Sequence, residues 1–283
     1  MLDSPLVRKL VSLAIEEDLS FGDITAEITV SPNHTSRARL IARQPLVFCG
    51  GEILAIVCSS GAWSFKSELK QKDGHRVESG AVLAELHGLT RELLGAERTL
   101  LNFLQRMSGV ATYARGFVEA CSDKLMVLDT RKTMPGWRVL DKYAVRAGGA
   151  QNHRFSLGDM VLVKNNHVDA HPEKLRGVLK DVTAKKPPYM AWEVEVRDLE
   201  ELCTALEFAP SIVMLDNFSD DLIKAAMEIV RSAAPRPLIE ASGGITEERA
   251  RRLADFGIDA VSSGALTTAA PNVDISMRIE ARL

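Results

Sequence analysis

The sequence predicts an α/β protein: an incomplete β/α barrel preceded by an α+β domain. Three observations carry this expectation. Six apolar runs (LMVLDTRK, MVLVKNNH, MAWEVEV, SIVMLDNF, PLIEASGG and AVSSGAL) each close on polar or charged residues or Gly. Their markers Asp129, Lys164, Glu195, Asp216, Ser242 and Gly264 are spaced by 35, 31, 21, 26 and 22 residues. Helical stretches at 172–186, 198–208, 220–233 and 247–256 separate the later runs. Strand–helix repeats of this length build a parallel sheet with right-handed crossovers, and near-continuous apolar strands suit burial on both faces. A doubly wound sheet fits the same alternation. No G-x-G-x-x-G follows the first strand, however, and polar groups at every strand end would converge on one barrel mouth. Six strong signals, fewer than eight, predict an incomplete barrel.

The N-terminal third reads differently. Leu6, Leu10, Leu13 and Ala14 recur at helical spacing over 5–17, after a Ser4-Pro5 start that suits a helix N-terminus. From Ser36 to Gly88, short apolar runs (38–42, 46–48, 82–86) broken by Gly, Pro and Asp-Gly predict strands and turns. A helix follows from Thr90 to Met107, with Leu93, Leu94, Leu100, Leu101 and Leu104 on its apolar face and Ser108-Gly109 as its stop.

Composition excludes several classes. The 283 residues are 46% hydrophobic and 26% charged, as in a globular protein able to bury a core without disulfides. The net charge of −3 gives no global pull toward nucleic acid or anionic membrane. Charge is nonetheless uneven: residues 129–164 hold seven Lys/Arg against three Asp, a net of +4, which leaves −7 for the rest. That basic strip suits a small polyanion. Four scattered cysteines read as reduced thiols, and neither an apolar leader core nor an 18-residue apolar run occurs, so a cytoplasmic protein outside membranes is expected.

The strand ends supply the chemistry. Thr130-Arg131-Lys132 after the first strand reads as an anion site, with Arg forming a bidentate fork and Lys a point charge; a plain solvated loop is the alternative. Gly148-Gly149 permits a tight turn before the cationic pair His153-Arg154. Lys164 closes the run MVLV, where a lysine at depth needs a partner or an anionic ligand. Glu193 and Glu195 lie two apart, so both face inward, and Asp216 closes the next strand. Such carboxylates need cations, either Mg²⁺ or the Lys/Arg set; hard oxygen donors favour Mg²⁺ over zinc. The alternative is a structural salt-bridge cluster. Ser242-Gly243-Gly244 and Ser263-Gly264 close the last two strands, where backbone N–H groups at Gly turns can cradle phosphate. The implied ligand has several anionic parts: a sugar phosphate and an acid.

The ordered strings EEDLSFGDIT, ERTLLNFLQRMSGVAT, DTRKTMPGWR, KYAVRAGGAQNHR, VLVKNNH, EVEV, MLDNF, EASGGI and the final DIS run the length of the chain. Together they resemble the quinolinate phosphoribosyltransferase family, the decarboxylating nicotinate-nucleotide pyrophosphorylases of NAD synthesis. DGHRVESGAVLAELHG alone could suggest a biotinyl or lipoyl half-barrel, but no carrier lysine occupies a hairpin there. The resemblance implies a TIM-like incomplete barrel over 109–266, and an α/β sandwich domain over 1–108 joined by 267–283. It implies that Arg131, His153, Arg154 and Lys164 surround the two carboxylates of quinolinate, with Lys132 near the acid and the reacting ribose. Glu195 and Asp216 would hold the ribose hydroxyls and the Mg²⁺ of phosphoribosyl pyrophosphate. Ser242, Gly243, Gly244 and Gly264, with Ser263 beside them, would bind its 5-phosphate. Arg98 of the ERT motif would reach the partner's site, making a homodimer the smallest complete unit. Three positions depart from the family pattern: Asn165 in place of an acid, Ala150 in place of a third Gly, and Thr267-Thr268-Ala269 in place of Thr-His-Ser. They leave open a catalytically silent homologue that binds quinolinate without turnover.

Overall fold

The computed structural model describes residues 2–60, 62–122 and 124–280. It contains two compact units: Met1–Arg115 with Thr133–Gly149 and Leu266–Leu283, and Gly116–Lys132 with Ala150–Ala265.

The first unit opens with α1 (Pro5–Leu19) and α2 (Ile24–Thr29). Ser4 and Asp23 are their N-caps, each side chain accepting from a backbone N–H of the first turn. There follow β1 (Thr35–Ala42), β2 (Leu46–Val47), α3 (Gly51–Cys58), β3 (Lys66–Leu69), β4 (Arg76–Val77), β5 (Val82–Leu89) and α4 (Thr90–Cys121). An antiparallel sheet runs in the order Ile275–Glu280, β1, β5, β3. Period-two alternation is clean on β1: Ala38, Leu40 and Ala42 are fully buried. On the opposite face Glu85 pairs with Arg37 and Arg39, each at 3.2 Å.

Two local expectations are corrected here. The helix expected to stop at Ser108-Gly109 continues to Cys121. Gly109 serves close approach instead, because a Cβ there would collide with the carbonyl oxygen of Pro271. The Ser108 hydroxyl exchanges hydrogen bonds with the N–H and C=O of Cys49 (3.0 and 3.1 Å). The segment after Gly50, apolar apart from Glu52, forms α3, within a stretch expected to hold only strands and turns. Its N-terminus is fixed by Asp73, whose Oδ1 accepts from the N–H groups of Gly50 (3.0 Å) and Gly51 (2.9 Å).

The remaining elements are β6 (Met126–Leu128), α5 (Arg138–Ala147), β7 (Val161–Val163), α6 (Asn165–Ala170), α7 (Lys174–Lys185), β8 (Trp192–Val196) and α8 (Leu199–Leu206). They continue with β9 (Ile212–Asp216), α9 (Asp220–Val230), β10 (Leu238–Ser242), α10 (Glu247–Leu253), β11 (Ala260–Ser262), α11 (Ala265–Thr268) and β12 (Ile275–Glu280). In the second unit, six strands pair in the order β6-β11-β10-β9-β8-β7, every pair parallel. All six expected strands form. Among the described residues, the edge strands β6 and β7 are not paired with each other, and beyond β6 only Gln151 adds a bridge, to Leu128. This is the incomplete β/α barrel. Asp198, Ser219 and Thr246 cap the helices that return from the strand ends. Among the described residues, no helix is long and apolar enough to cross a membrane.

Candidate active site

A cavity of about 470 Å³ opens where the carboxyl ends of the barrel strands meet. Each strand contributes. Thr130, Arg131 and Lys132 follow β6, His153 and Arg154 follow the Gln151 bridge, and Lys164 follows β7. Glu195 lies on β8, Asp216 ends β9, and Ser242 ends β10 ahead of Gly243-Gly244. A more open cleft of about 750 Å³ on the first unit is lined by sheet-edge residues such as Arg37, Glu68 and His87. The barrel cavity is set apart by converging charge, not by volume.

One side is cationic. The buried Asp129 carboxylate accepts from the N–H of His153 (2.9 Å) and from Asn152 Nδ2 (2.6 Å), which fixes the segment carrying His153 and Arg154. Arg154 Nη1 donates to the carbonyl of Met160 at 3.0 Å. Burial, and then the charge of Arg131, push the Arg154 guanidinium below its ordinary range. The carboxylates of Glu193 and Asp159 act on Arg154 in the opposite sense. The Thr130 hydroxyl accepts from the N–H of Lys132 (3.0 Å), turning the chain at the mouth.

The other side is built from carboxylates and a glycine turn. Lys164 Nζ lies 2.6 Å from Glu195 Oε2. The partner expected for Lys164 is present, but the depth is not: its side chain is 45% exposed, because burial on β7 ends at Val163. Asn217 (φ +56°), Gly243 (φ +90°) and Gly244 (φ +59°) all adopt left-handed backbone. The N–H of Asn217 is tied to the carbonyl of Ser242 (2.9 Å), and Arg249 Nη1 donates to the carbonyl of Gly243 (2.8 Å). Turns of this kind leave concave N–H surfaces that suit phosphate.

Two expected site residues lie outside the cavity lining, and a third, Gly264, packs against the lining from behind. The Ser263 hydroxyl is buried and donates to the carbonyl of Ile245 (2.9 Å); Ser262, one residue earlier, lines the cavity and donates to Ser242 Oγ (3.0 Å). The reason is strand parity, since adjacent residues on β11 face opposite ways. Gly264 is not in the lining; a Cβ there would come within 2.8 Å of Lys132 Cδ, so it makes room for that lysine. Arg98 stands exposed on α4 and lines a separate cleft of the first unit with Leu10, Glu17 and Phe103. Sequence reasoning also missed Leu162, Met214, Asn217 and Ser262 in the lining. It missed Glu240 as well, which lies two residues before Ser242 and therefore on the same face.

Glu195 and Asp216 suit a magnesium ion. Two hard oxygen donors on one cavity wall fit an ion that keeps several waters and shares its shell with substrate phosphates. Of the departures, Asn165 begins α6 directly after Lys164 with its Oδ1 buried and without a hydrogen-bond partner, and Ala150 is buried. The carbonyl of Thr267 accepts from Arg106 in the first unit. The cysteines are free thiols; Cys49 and Cys121 are buried and Cys203 is exposed.

Comparison with known proteins agrees with this geometry. Residues 23–108 match the model for the N-terminal domain of quinolinate phosphoribosyl transferase, and residues 110–278 match that for its C-terminal domain. The chain is 38% identical to the nicotinate-nucleotide pyrophosphorylase (carboxylating) of Mycobacterium leprae, over 95% of this chain and 96% of that one. It is 35% identical to the probable nicotinate-nucleotide pyrophosphorylase (carboxylating) of Bacillus subtilis, over 96% and 93%. Among solved structures, the nicotinate-nucleotide pyrophosphorylase of Francisella tularensis superposes with a TM-score of 0.89 at 35% identity, covering 97% of this chain and 96% of that one. With both domain models matched in order and the likeness extending nearly end to end, the chain belongs to the quinolinate phosphoribosyltransferase family.

Proposed function

We infer that the chain transfers the phosphoribosyl group of phosphoribosyl pyrophosphate to quinolinate with decarboxylation, releasing nicotinate mononucleotide, CO₂ and pyrophosphate. One observation carries the reading: a single cavity joins a cluster of arginines and lysines to a carboxylate pair and a glycine turn. The cationic side matches a dicarboxylic acid. The other side matches a phosphorylated sugar that develops positive charge.

The chemistry follows from placement. Gly243 and Gly244 hold the 5-phosphate, and Glu195 and Asp216 hold the ribose hydroxyls. As the bond from the anomeric carbon to pyrophosphate breaks, its electron pair leaves with pyrophosphate, and the two carboxylates face the growing positive charge. Mg²⁺, when bound, neutralises charge on the leaving pyrophosphate. Arg131, Arg154 and Lys164 orient the acid so that the pyridine nitrogen attacks the anomeric carbon. The resulting pyridinium withdraws electrons, the adjacent carboxylate departs as CO₂, and the electron pair left on the ring takes up a proton. Lys132 lies between the acid and the ribose. No side-chain nucleophile is required, so positioning and electrostatics supply the acceleration.

The same reading includes a homodimer in which Arg98 completes the partner's site, and a cytoplasmic setting. The exposure of Arg98 and the free thiols support it. The test supplies quinolinate, phosphoribosyl pyrophosphate and Mg²⁺, with nicotinate as control acceptor. Conversion of quinolinate alone is expected. Conversion of nicotinate instead, or tight quinolinate binding with no CO₂ release, would overturn the reading.

A further inference from the structure

Behind the cationic wall lies a buried group that the reaction as derived does not use. Glu193 on β8 and Glu240 on β10 point into the barrel interior and are 0% and 1% exposed. Both oxygens of Glu193 and the Oε1 of Glu240 are buried without a well-aligned hydrogen bond, so what they present to His153 is close negative charge. His153 Nε2 faces the pair, 3.0 Å from Glu193 Oε2 and 3.6 Å from Glu240 Oε2. Its other ring nitrogen is also engaged: the backbone N–H of Arg154 donates to His153 Nδ1 at 2.7 Å. A ring nitrogen that accepts an N–H bond carries a lone pair, so the imidazole proton sits on Nε2 and faces the carboxylates. A metal ion on Nε2 would need that proton moved to Nδ1, where the Arg154 N–H already points.

We propose that Glu193 and Glu240 are positioning residues for quinolinate: they lock His153 in its Nε2–H tautomer and, through its Nδ1, hold the backbone that carries the Arg154 guanidinium to the acid. This rests on the function inferred above, and it adds to the direct ligand role expected for His153, which lines the cavity. The charge balance is consistent with it. Burial, and then the facing Glu193 carboxylate, push Glu240 up to about 7. His153 and Lys164 act in the opposite sense on Glu240, as does its hydrogen bond with Ser262.

Two readouts test the proposal. The first is ring-nitrogen NMR of labelled histidine in the resting enzyme, with the signal of His153 among the six histidines assigned from a His153→Gln sample. An Nε2–H tautomer is expected. A proton on Nδ1 would overturn the proposal, and this measurement needs no turnover, so it stands apart from the function assignment. The second uses Glu193→Met, which removes the acceptor at similar volume, and Glu193→Gln, which keeps an acceptor oxygen. Glu193→Met should raise the KM for quinolinate about tenfold or more, with the KM for phosphoribosyl pyrophosphate nearly unchanged; Glu193→Gln should recover most of the loss. Equal rises in both KM values, or no rescue by Gln, would mean a merely structural role. If Glu193→Met does not fold, Glu240→Met is read by the same two KM values.

Discussion

Replacing Gly243 with Ala tests the phosphate turn directly. Two costs follow from the geometry. The residue has φ +90°, where a Cβ costs about 1–2 kcal/mol. That Cβ would also collide with the Asn217 side-chain amide, with Cγ only 2.5 Å away and the backbone nitrogen at 3.0 Å. Asn217 cannot retreat freely, because its own φ is +56° and its N–H is bonded to the Ser242 carbonyl. Giving up that hydrogen bond adds about 1 kcal/mol. Relief of a total of about 2–3 kcal/mol moves the N–H groups off the phosphate, so affinity for phosphoribosyl pyrophosphate should fall about 30- to 150-fold. Gly244→Ala is the internal control. Its φ of +59° carries the backbone cost, but the nearest atom to an added Cβ is Arg249 Nη1 at 3.8 Å. A smaller loss, about 5- to 30-fold, is expected. Calorimetric titration reads both variants, with quinolinate as the second ligand. Equal losses in the two variants, or wild-type affinity in Gly243→Ala, would refute the reasoning.

Other perturbations separate the remaining roles. Lys164→Met leaves the buried Glu195 carboxylate, 9% exposed, without its ammonium, so it should cost about 1–3 kcal/mol of stability and lower kcat/KM about 100-fold; thermal melts beside steady-state kinetics check this, and unchanged kinetics would contradict it. Arg131→Ala should weaken quinolinate binding by about 2–5 kcal/mol and phosphoribosyl pyrophosphate binding far less, whereas calorimetry showing equal weakening would remove its acid-binding role. Glu240 binds its proton more tightly in the folded state, about 7 against an ordinary 4.5, so its contribution to stability falls as pH rises between those values. Glu240→Gln should therefore gain on the wild type over that interval, by about 3 kcal/mol in all; parallel curves of denaturation midpoint against pH would rule this out. Mixing Arg98→Ala with an inactive barrel-site variant should restore activity in mixed dimers, and no recovery would dismiss the shared site.

Much of the fold was readable because strand–helix alternation has two periods that seldom blur, and all six parallel strands fall where the apolar runs place them. The errors have physical causes. Ser108-Gly109 has the composition of a helix stop, but glycine also allows close packing, and only the neighbouring Pro271 decides between the two. The helix Gly51–Cys58 is apolar on nearly every side because it is buried, so it shows no helical period. Arg131, Lys132, Lys164, Glu195 and Asp216 were legible because they stand at the ends of apolar runs, whereas His153 and Arg154 were marked by the glycine turn before them. Ser263 was chosen over Ser262 because parity needs the end of the strand to be known to one residue. Glu240 stayed hidden inside an apolar string; its role depends on His153, 87 positions away in the sequence, which only the fold of the sheet brings near.

The central claim is that one cavity couples glycosyl transfer to loss of the carboxylate beside the ring nitrogen. The most direct measurement is a single-turnover reaction with quinolinate isotopically labelled in that carboxylate, following CO₂ and pyrophosphate together. The account predicts one labelled CO₂ for each pyrophosphate, and none until phosphoribosyl pyrophosphate is added. Pyrophosphate release without CO₂, or CO₂ release from quinolinate alone, would contradict it.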